Sequence, residues 1–187
     1  MTAKQIHLSC YPRSGTTFFI KNSRILFANK LITSYAINNS IEKLLNNKDL
    51  FHISIIRNPV DVISSQVTLE IMKNIKNTNR IEYRLMRRID LLENFYNLIS
   101  QNSYVSIFDF NDLILKPEEL FSYLAKNNSV ELNNIDIVKI DPIPNVFFAS
   151  AREVESYEKI RNILLNNIDL YKINKTYNEL IEKKIIL

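Results

Sequence analysis

Arg13, Ser14, Gly15, Thr16 and Thr17 stand in one run, "YPRSGTTF", and Arg57 and Ser65 frame a second, "RNPVDVISS". The first run sets a permanent guanidinium and three hydroxyls around Gly15, the one glycine in 187 residues. Glycine takes positive φ and lets backbone approach a ligand without a Cβ in the way. Placed between a strand and a helix, such a run aims backbone N–H groups at an anion. The first amides of a helix have no internal partner, and the dipole adds about half a positive charge. Anion binding is the chemistry expected there; a tight strand-to-helix turn with nothing bound is the plain alternative. In the second run, Asp61 and Ser65 are four apart and share a helix face. Arg57 at a strand end could bind an anion beside the first loop, cap a neighbouring helix, or pair with Asp61.

Two common phosphate chemistries do not fit. A Walker A loop needs G-x-x-x-x-G-K-[ST]. With Gly15 as its second glycine, Cys10 stands where the first should be, and Thr16 where the lysine should be. A phosphatase-type loop needs an arginine six positions after its nucleophilic cysteine, and that position is again Thr16. Cys10 therefore reads as a small buried residue at a strand end.

The elements that must hold these loops follow from pattern. "KQIHLSC" (4–10) reads as a first strand, ended by Tyr11-Pro12. From Thr16 to about Lys30, apolar Phe19, Ile20, Ile25 and Leu26 recur at helical spacing. A short helix is expected over 40–46 and a buried strand over 50–56. Asn58 is a good N-cap and Pro59 a good first helical residue, so a helix should run from there to about Ile75, turning Val60, Ile63, Val67 and Ile71 inward. A long helix over 80–101, a strand over 103–110 and a helix over 116–128 come next. "IDIVKI" (135–140) reads as a short strand, "DPIPN" as a loop, and the remainder from Ala149 as helices. The alternation predicts one α/β domain over 1–187: a three-layer sandwich whose mainly parallel central sheet is flanked by helices. Such sheets bind ligands at the carboxyl ends of their strands, where both loops fall.

Composition narrows the class. An apolar fraction of 46% and a net charge of +4 suit a globular domain and permit an anionic ligand without pointing to nucleic acid. "RLMRR" (84–88), the densest basic spot, reads as a solvated helix face. One cysteine, no long apolar leader and no run near the about 18 apolar residues of a membrane span predict a cytoplasmic protein that does not enter a membrane.

Taken together, the two runs resemble the PAPS-dependent sulfotransferase family. "YPRSGTTF" is similar to its 5′-phosphosulfate loop, and "RNPVDVISS" to its 3′-phosphate motif, with Arg and Ser eight apart. "YVSIFDFNDLILKPEELFSYLAKN" (104–127) is a looser match to a later strand–loop–helix, through Phe110-Asn111-Asp112-Leu113. The resemblance implies a P-loop NTPase-like fold with PAPS as co-substrate and no metal. It also implies roles. Backbone N–H groups of Ser14, Gly15, Thr16 and Thr17, with the Ser14, Thr16 and Thr17 hydroxyls, would hold the phosphosulfate. Arg13 would bind the cofactor and be catalytic, stabilising charge on the bridging oxygen as the sulfuryl group leaves. Phe18 would stack on adenine, and Arg57 and Ser65 would grip the 3′-phosphate.

The sequence departs from the family in two places. No histidine or carboxylate between the loops presents itself as general base. His7 and His52 fall inside predicted buried strands, Glu42 on a solvated helix face, and Glu70 about three turns into its helix. The family's late Arg-Lys-Gly segment is also absent; Arg152 is the nearest substitute. Three functions are thus set against one another. The first is transfer of a sulfuryl group from PAPS to a hydroxyl or amine of a small-molecule or saccharide acceptor. The others are an inactive PAPS- or PAP-binding module and a nucleotide-dependent phosphotransferase.

Overall fold

The structure, a computed structural model, describes residues 5–27, 31–35, 40–73, 81–127 and 151–187. The expected strand over 135–140 and the "DPIPN" loop lie outside the described residues. The elements in chain order are β1 (Gln5–Cys10), α1 (Thr16–Phe27), β2 (Leu31–Tyr35), α2 (Ser40–Leu45) and β3 (Leu50–Ile56). Then come α3 (Pro59–Lys73), α4 (Ile81–Ser100), β4 (Ser106–Asp109), α5 (Phe110–Leu115), α6 (Pro117–Asn127), α7 (Ala151–Asn167) and α8 (Tyr171–Glu182).

The four strands form one parallel sheet in the order β2-β1-β3-β4. Strand alternation splits its side chains between two cores. Ile6, Leu8, Cys10, Ile53, Ile55 and Phe108 pack with Phe19 of α1, Leu113 of α5 and Leu120, Phe121 and Leu124 of α6. On the other face, Tyr11, Ile56 and Ile107 pack with apolar residues of α2, α3, α4, α7 and α8. Helices on both faces of a parallel sheet are the α/β architecture the alternation predicts.

Several boundaries have visible causes. Asn58 caps α3: its Oδ1 accepts from Val60 N at 3.0 Å, and its carbonyl accepts from Val62 N at 3.1 Å. Pro59, with no N–H to satisfy, fills the first helical position. α3 is buried more widely than one apolar stripe, with Val62, Ser64, Ser65 and Thr68 enclosed as well. α7 packs along α3 and covers part of this wider surface. β4 is shorter than expected because Val105 N closes a turn onto Asn102 O at 3.2 Å just before it. β2 and α5 are elements that the sequence pattern did not announce.

Candidate active site at the carboxyl edge of the sheet

After β1 the chain crosses to β2 on one side, and it later returns to β3 on the other side of β1. The carboxyl ends of β1 and β3 therefore flank a topological switch point, the place where open α/β sheets leave a crevice for ligands. Arg13 follows β1 and Arg57 follows β3, so both predicted loops lie at this point.

The first loop is held in an unusual shape. Arg13 has φ +73° and Gly15 φ +77°, and Arg13 is the only non-glycine with positive φ among the described residues. A left-handed non-glycine costs on the order of 1–3 kcal/mol and gathers at functional sites. Gly15 is the N-cap of α1, since Phe19 N bonds to Gly15 O at 3.0 Å. The amides of Thr16, Thr17 and Phe18 precede the first intrahelical bond and have no helical partner. The Ser14 amide is spent differently, closing the turn onto Tyr11 O at 3.3 Å. The hydroxyls of Ser14 and Thr16 are buried and make no hydrogen bond. Thr17 is exposed. Phe18 is half-buried against the α1–α6 core, with its carbonyl accepting from Asn22 Nδ2 at 2.9 Å.

The second loop joins the first directly. Arg13 Nε donates to Ser65 Oγ at 2.9 Å, and Arg57 Nη1 donates to Arg13 O at 3.0 Å. Arg57 is 7% exposed. Burial lowers its guanidinium from the ordinary range, opposed chiefly by the nearby Asp61. The Tyr96 hydroxyl of α4 donates to Arg57 O, which pins the backbone at the strand end. Asp61 Oδ1 accepts from the Tyr157 hydroxyl at 3.0 Å and lies 3.9 Å from Arg161 Nε. α7 thus supplies two side chains beside the second loop. Arg152, the sequence's substitute for a late basic segment, is exposed at the start of the same helix.

α5 brings the third, looser motif onto both loops. The Phe110 ring lies 4.2 Å from Arg57 Cζ, a cation–π contact. A Cβ on Gly15 would stand 2.7 Å from Leu113 Cδ2 and 3.0 Å from Phe110. The lone glycine is therefore required twice over by the protein itself, through its φ and through the packing of α5. The sequence could only suggest the ligand as the crowding partner.

The remaining candidates fall elsewhere. Cys10 is buried, and burial pushes its thiol up to about 11, only partly offset by Thr16. Cys10 Sγ contacts Ser34 O at 3.6 Å. His7 and His52 face each other across β1 and β3, with Nδ1 to Nδ1 at 2.9 Å. His52 Nε2 lies 2.8 Å from Asn47 O, so it carries the proton there. In the neutral pair His7 Nδ1 then donates to His52 Nδ1, and His7 Nε2, 2.6 Å from Ser34 Oγ, accepts. Burial first, and His52 second, lower His7 to about 4. This is a hydrogen-bonded core pair, as its place within the strands predicts. Glu70 is occupied by Arg84 and Arg88, so two arginines of "RLMRR" are ion-paired rather than merely solvated. Glu42 is exposed on α2.

Among the described residues, no cluster of three or more His, Cys, Asp or Glu could hold a metal ion, and no helix is long and apolar enough to cross a membrane. No protein-family model matches the chain, and no curated protein matches it.

Proposed function

We propose that the protein is a PAPS-dependent sulfotransferase with a P-loop NTPase-like site, transferring a sulfuryl group to a hydroxyl or amine. One observation carries the reading: Arg13 Nε bonds to Ser65 Oγ at 2.9 Å. The two motifs that resemble the halves of one nucleotide-binding site are thus in direct contact across 52 positions of chain. Other features support it. The strained backbone at Arg13 and the unpartnered Ser14 and Thr16 hydroxyls surround the free amides of α1.

In this reading the amides of Thr16, Thr17 and Phe18 and the hydroxyls of Ser14 and Thr16 bind the 5′-phosphosulfate. Arg13 supplies a fixed charge where negative charge grows on the bridging oxygen, an arrangement that works because it is in place beforehand. Arg57 and Ser65 bind the 3′-phosphate, the group that separates PAPS from ATP. Arg57 is held for this by Tyr96 at its carbonyl and Phe110 at its guanidinium. The acceptor enters from solvent at the same edge, as a small molecule or a saccharide. Sulfuryl transfer from a phosphosulfate is downhill and needs no metal.

The test separates the two arginines. Arg13→Ala should lower turnover strongly, whereas Arg57→Ala should mainly weaken binding of adenosine 3′,5′-bisphosphate. Unchanged affinity in Arg57→Ala would remove the assignment of the second loop. Nucleotide binding without transfer to any acceptor would favour a binding module built on the same site.

A further inference from the structure

β4 ends at the same sheet edge in a carboxylate that the site above does not use. Asp109 is 7% exposed, and its Oδ1 has no hydrogen-bond partner. Its Oδ2 accepts from Asn111 Nδ2 at 3.3 Å. Among the described residues, the other buried side-chain oxygens without a partner are all hydroxyls, several of them serines such as Ser9, Ser54 and Ser64. A hydroxyl left alone costs little beside a carboxylate, because an unpaired charge is far harder to desolvate. Such a group calls for an explanation, and its place as the N-cap of α5, with Asn111 and Lys184 beside it, accounts for part of it.

The position is specific. Asp109 pairs in register with Ile56, the residue before Arg57, and precedes Phe110, whose ring touches Arg57 and crowds Gly15. Two strand spacings, about 10 Å, separate the ends of β4 and β1 across the sheet. The ionisable groups facing Asp109 are Tyr96 of α4, Tyr177 of α8, Asp112 of α5 and Lys184. Lys184 Nζ is bound to Asp112 Oδ2 at 2.7 Å, and Tyr177 stacks on Tyr96 at 6.0 Å, so the surroundings are fixed.

We propose that Asp109 is the general base of the transfer, a role that rests on the sulfotransferase reading of the site. As the acceptor oxygen or nitrogen attacks sulfur, the acceptor–sulfur bond forms and the bond from sulfur to the bridging phosphate oxygen breaks. The acceptor proton passes to Asp109 Oδ1, and adenosine 3′,5′-bisphosphate leaves with the electron pair. Burial raises the Asp109 carboxyl above the ordinary carboxylate range, which is the direction a general base needs. Asn111 and Lys184 pull the other way and limit the rise.

Asp109→Asn keeps shape and removes the base. Three readouts are made on wild type and variant: affinity for adenosine 3′,5′-bisphosphate, thermal stability, and release of the labelled sulfuryl group from PAPS, to water as free sulfate or to a simple phenol as its sulfate ester. The expected result is affinity within about threefold, a melting temperature equal or higher, and release slowed by roughly 100-fold or more. Carboxyl-carbon NMR should show one aspartate with a raised pKa in wild type, absent from the variant. Failure of wild type to bind the bisphosphate would sink the sulfotransferase reading itself. Binding by wild type with no transfer to any acceptor would leave a binding module and sink the transfer reading together with the base, whereas transfer by Asp109→Asn at the wild-type rate would overturn the base alone. A variant that lost stability and kept its rate would show Asp109 to be structural. Should Asp109→Asn fail to fold, Asp109→Glu gives the second reading: it should retain release above that of any uncharged variant.

Discussion

Gly15→Ala places the loop's backbone and the packing of α5 under one measurement. At φ +77°, an added Cβ costs roughly 1–2 kcal/mol in backbone strain. The same Cβ would meet Leu113 Cδ2 at 2.7 Å and Phe110 at 3.0 Å. Leu113 is fully buried and cannot swing away freely, so overpacking adds about 1–3 kcal/mol. The sum is about 2–5 kcal/mol. It remains below the ~5–15 kcal/mol that holds a typical domain together. For a chain of this size the melting temperature should fall by roughly 5–15 °C, and nucleotide binding should be abolished. The control is Leu113→Ala, which itself costs about 2–5 kcal/mol but opens the space above Gly15. In that background the Leu113 clash is gone, and Gly15→Ala should cost less: the backbone strain of about 1–2 kcal/mol plus the remaining contact with the Phe110 ring at 3.0 Å. Denaturant unfolding of the four variants gives a coupling energy of about 1–3 kcal/mol. An equal cost of Gly15→Ala in both backgrounds would refute the argument that α5 excludes a side chain at this position.

Other consequences can be checked with single variants or a change of pH. Phe110→Ala removes the ring beneath Arg57 and should weaken bisphosphate binding by about 0.5–2 kcal/mol; unchanged titration curves would show that the contact does not position Arg57. His7 has a folded pKa near 4, below its usual 6.5, so the neutral pair stabilises the fold above pH 6.5 and that contribution is lost as pH falls toward 4. The loss amounts to about 3 kcal/mol, and a flat stability between those pH values would contradict the buried hydrogen-bonded pair. Cys10, with its thiol near 11, should resist a disulfide reagent at pH 8 until the chain unfolds; prompt labelling of the folded protein would restore a reactive thiol. Tyr157→Phe deletes the bond to Asp61 and should cost about 1 kcal/mol of stability. No change in unfolding midpoint would mean that α7 docks on α3 without it.

Strong local signals made most of the fold legible. β3 could be read because a continuous apolar run ends at Arg57-Asn58-Pro59, and the start of α3 because Asn58 and Pro59 each suit one capping position. β2 escaped notice because an edge strand is only half covered: Ile32 is half-buried and Thr33 exposed, so no apolar alternation marks "LITSY". α5 escaped because its six residues follow β4 without a break, and Asp109 makes no side-chain cap bond to announce a helix. At the site, spacing located Arg13, Gly15, Arg57 and Ser65, since loops at strand ends carry their chemistry in local sequence. What spacing could not supply was contact between distant segments. That Arg13 meets Ser65, that Phe110 and Leu113 crowd Gly15, and that Tyr157 takes Asp61 all depend on helices docking across the sheet edge. Asp109 did leave a signal, an acidic residue at the carboxyl end of a buried strand. Its significance needed the unpartnered oxygen to be seen.

The central claim is that the edge formed by Arg13 to Thr17 and Arg57 to Ser65 selects a nucleotide by its 3′-phosphate. Calorimetric titration of the wild-type protein with adenosine 3′,5′-bisphosphate, and separately with ATP and Mg²⁺, tests it most directly. The bisphosphate should bind without metal, at least about tenfold more tightly than ATP, a difference of about 1.4 kcal/mol. Tighter, Mg²⁺-dependent binding of ATP, or no binding of the bisphosphate, would contradict it.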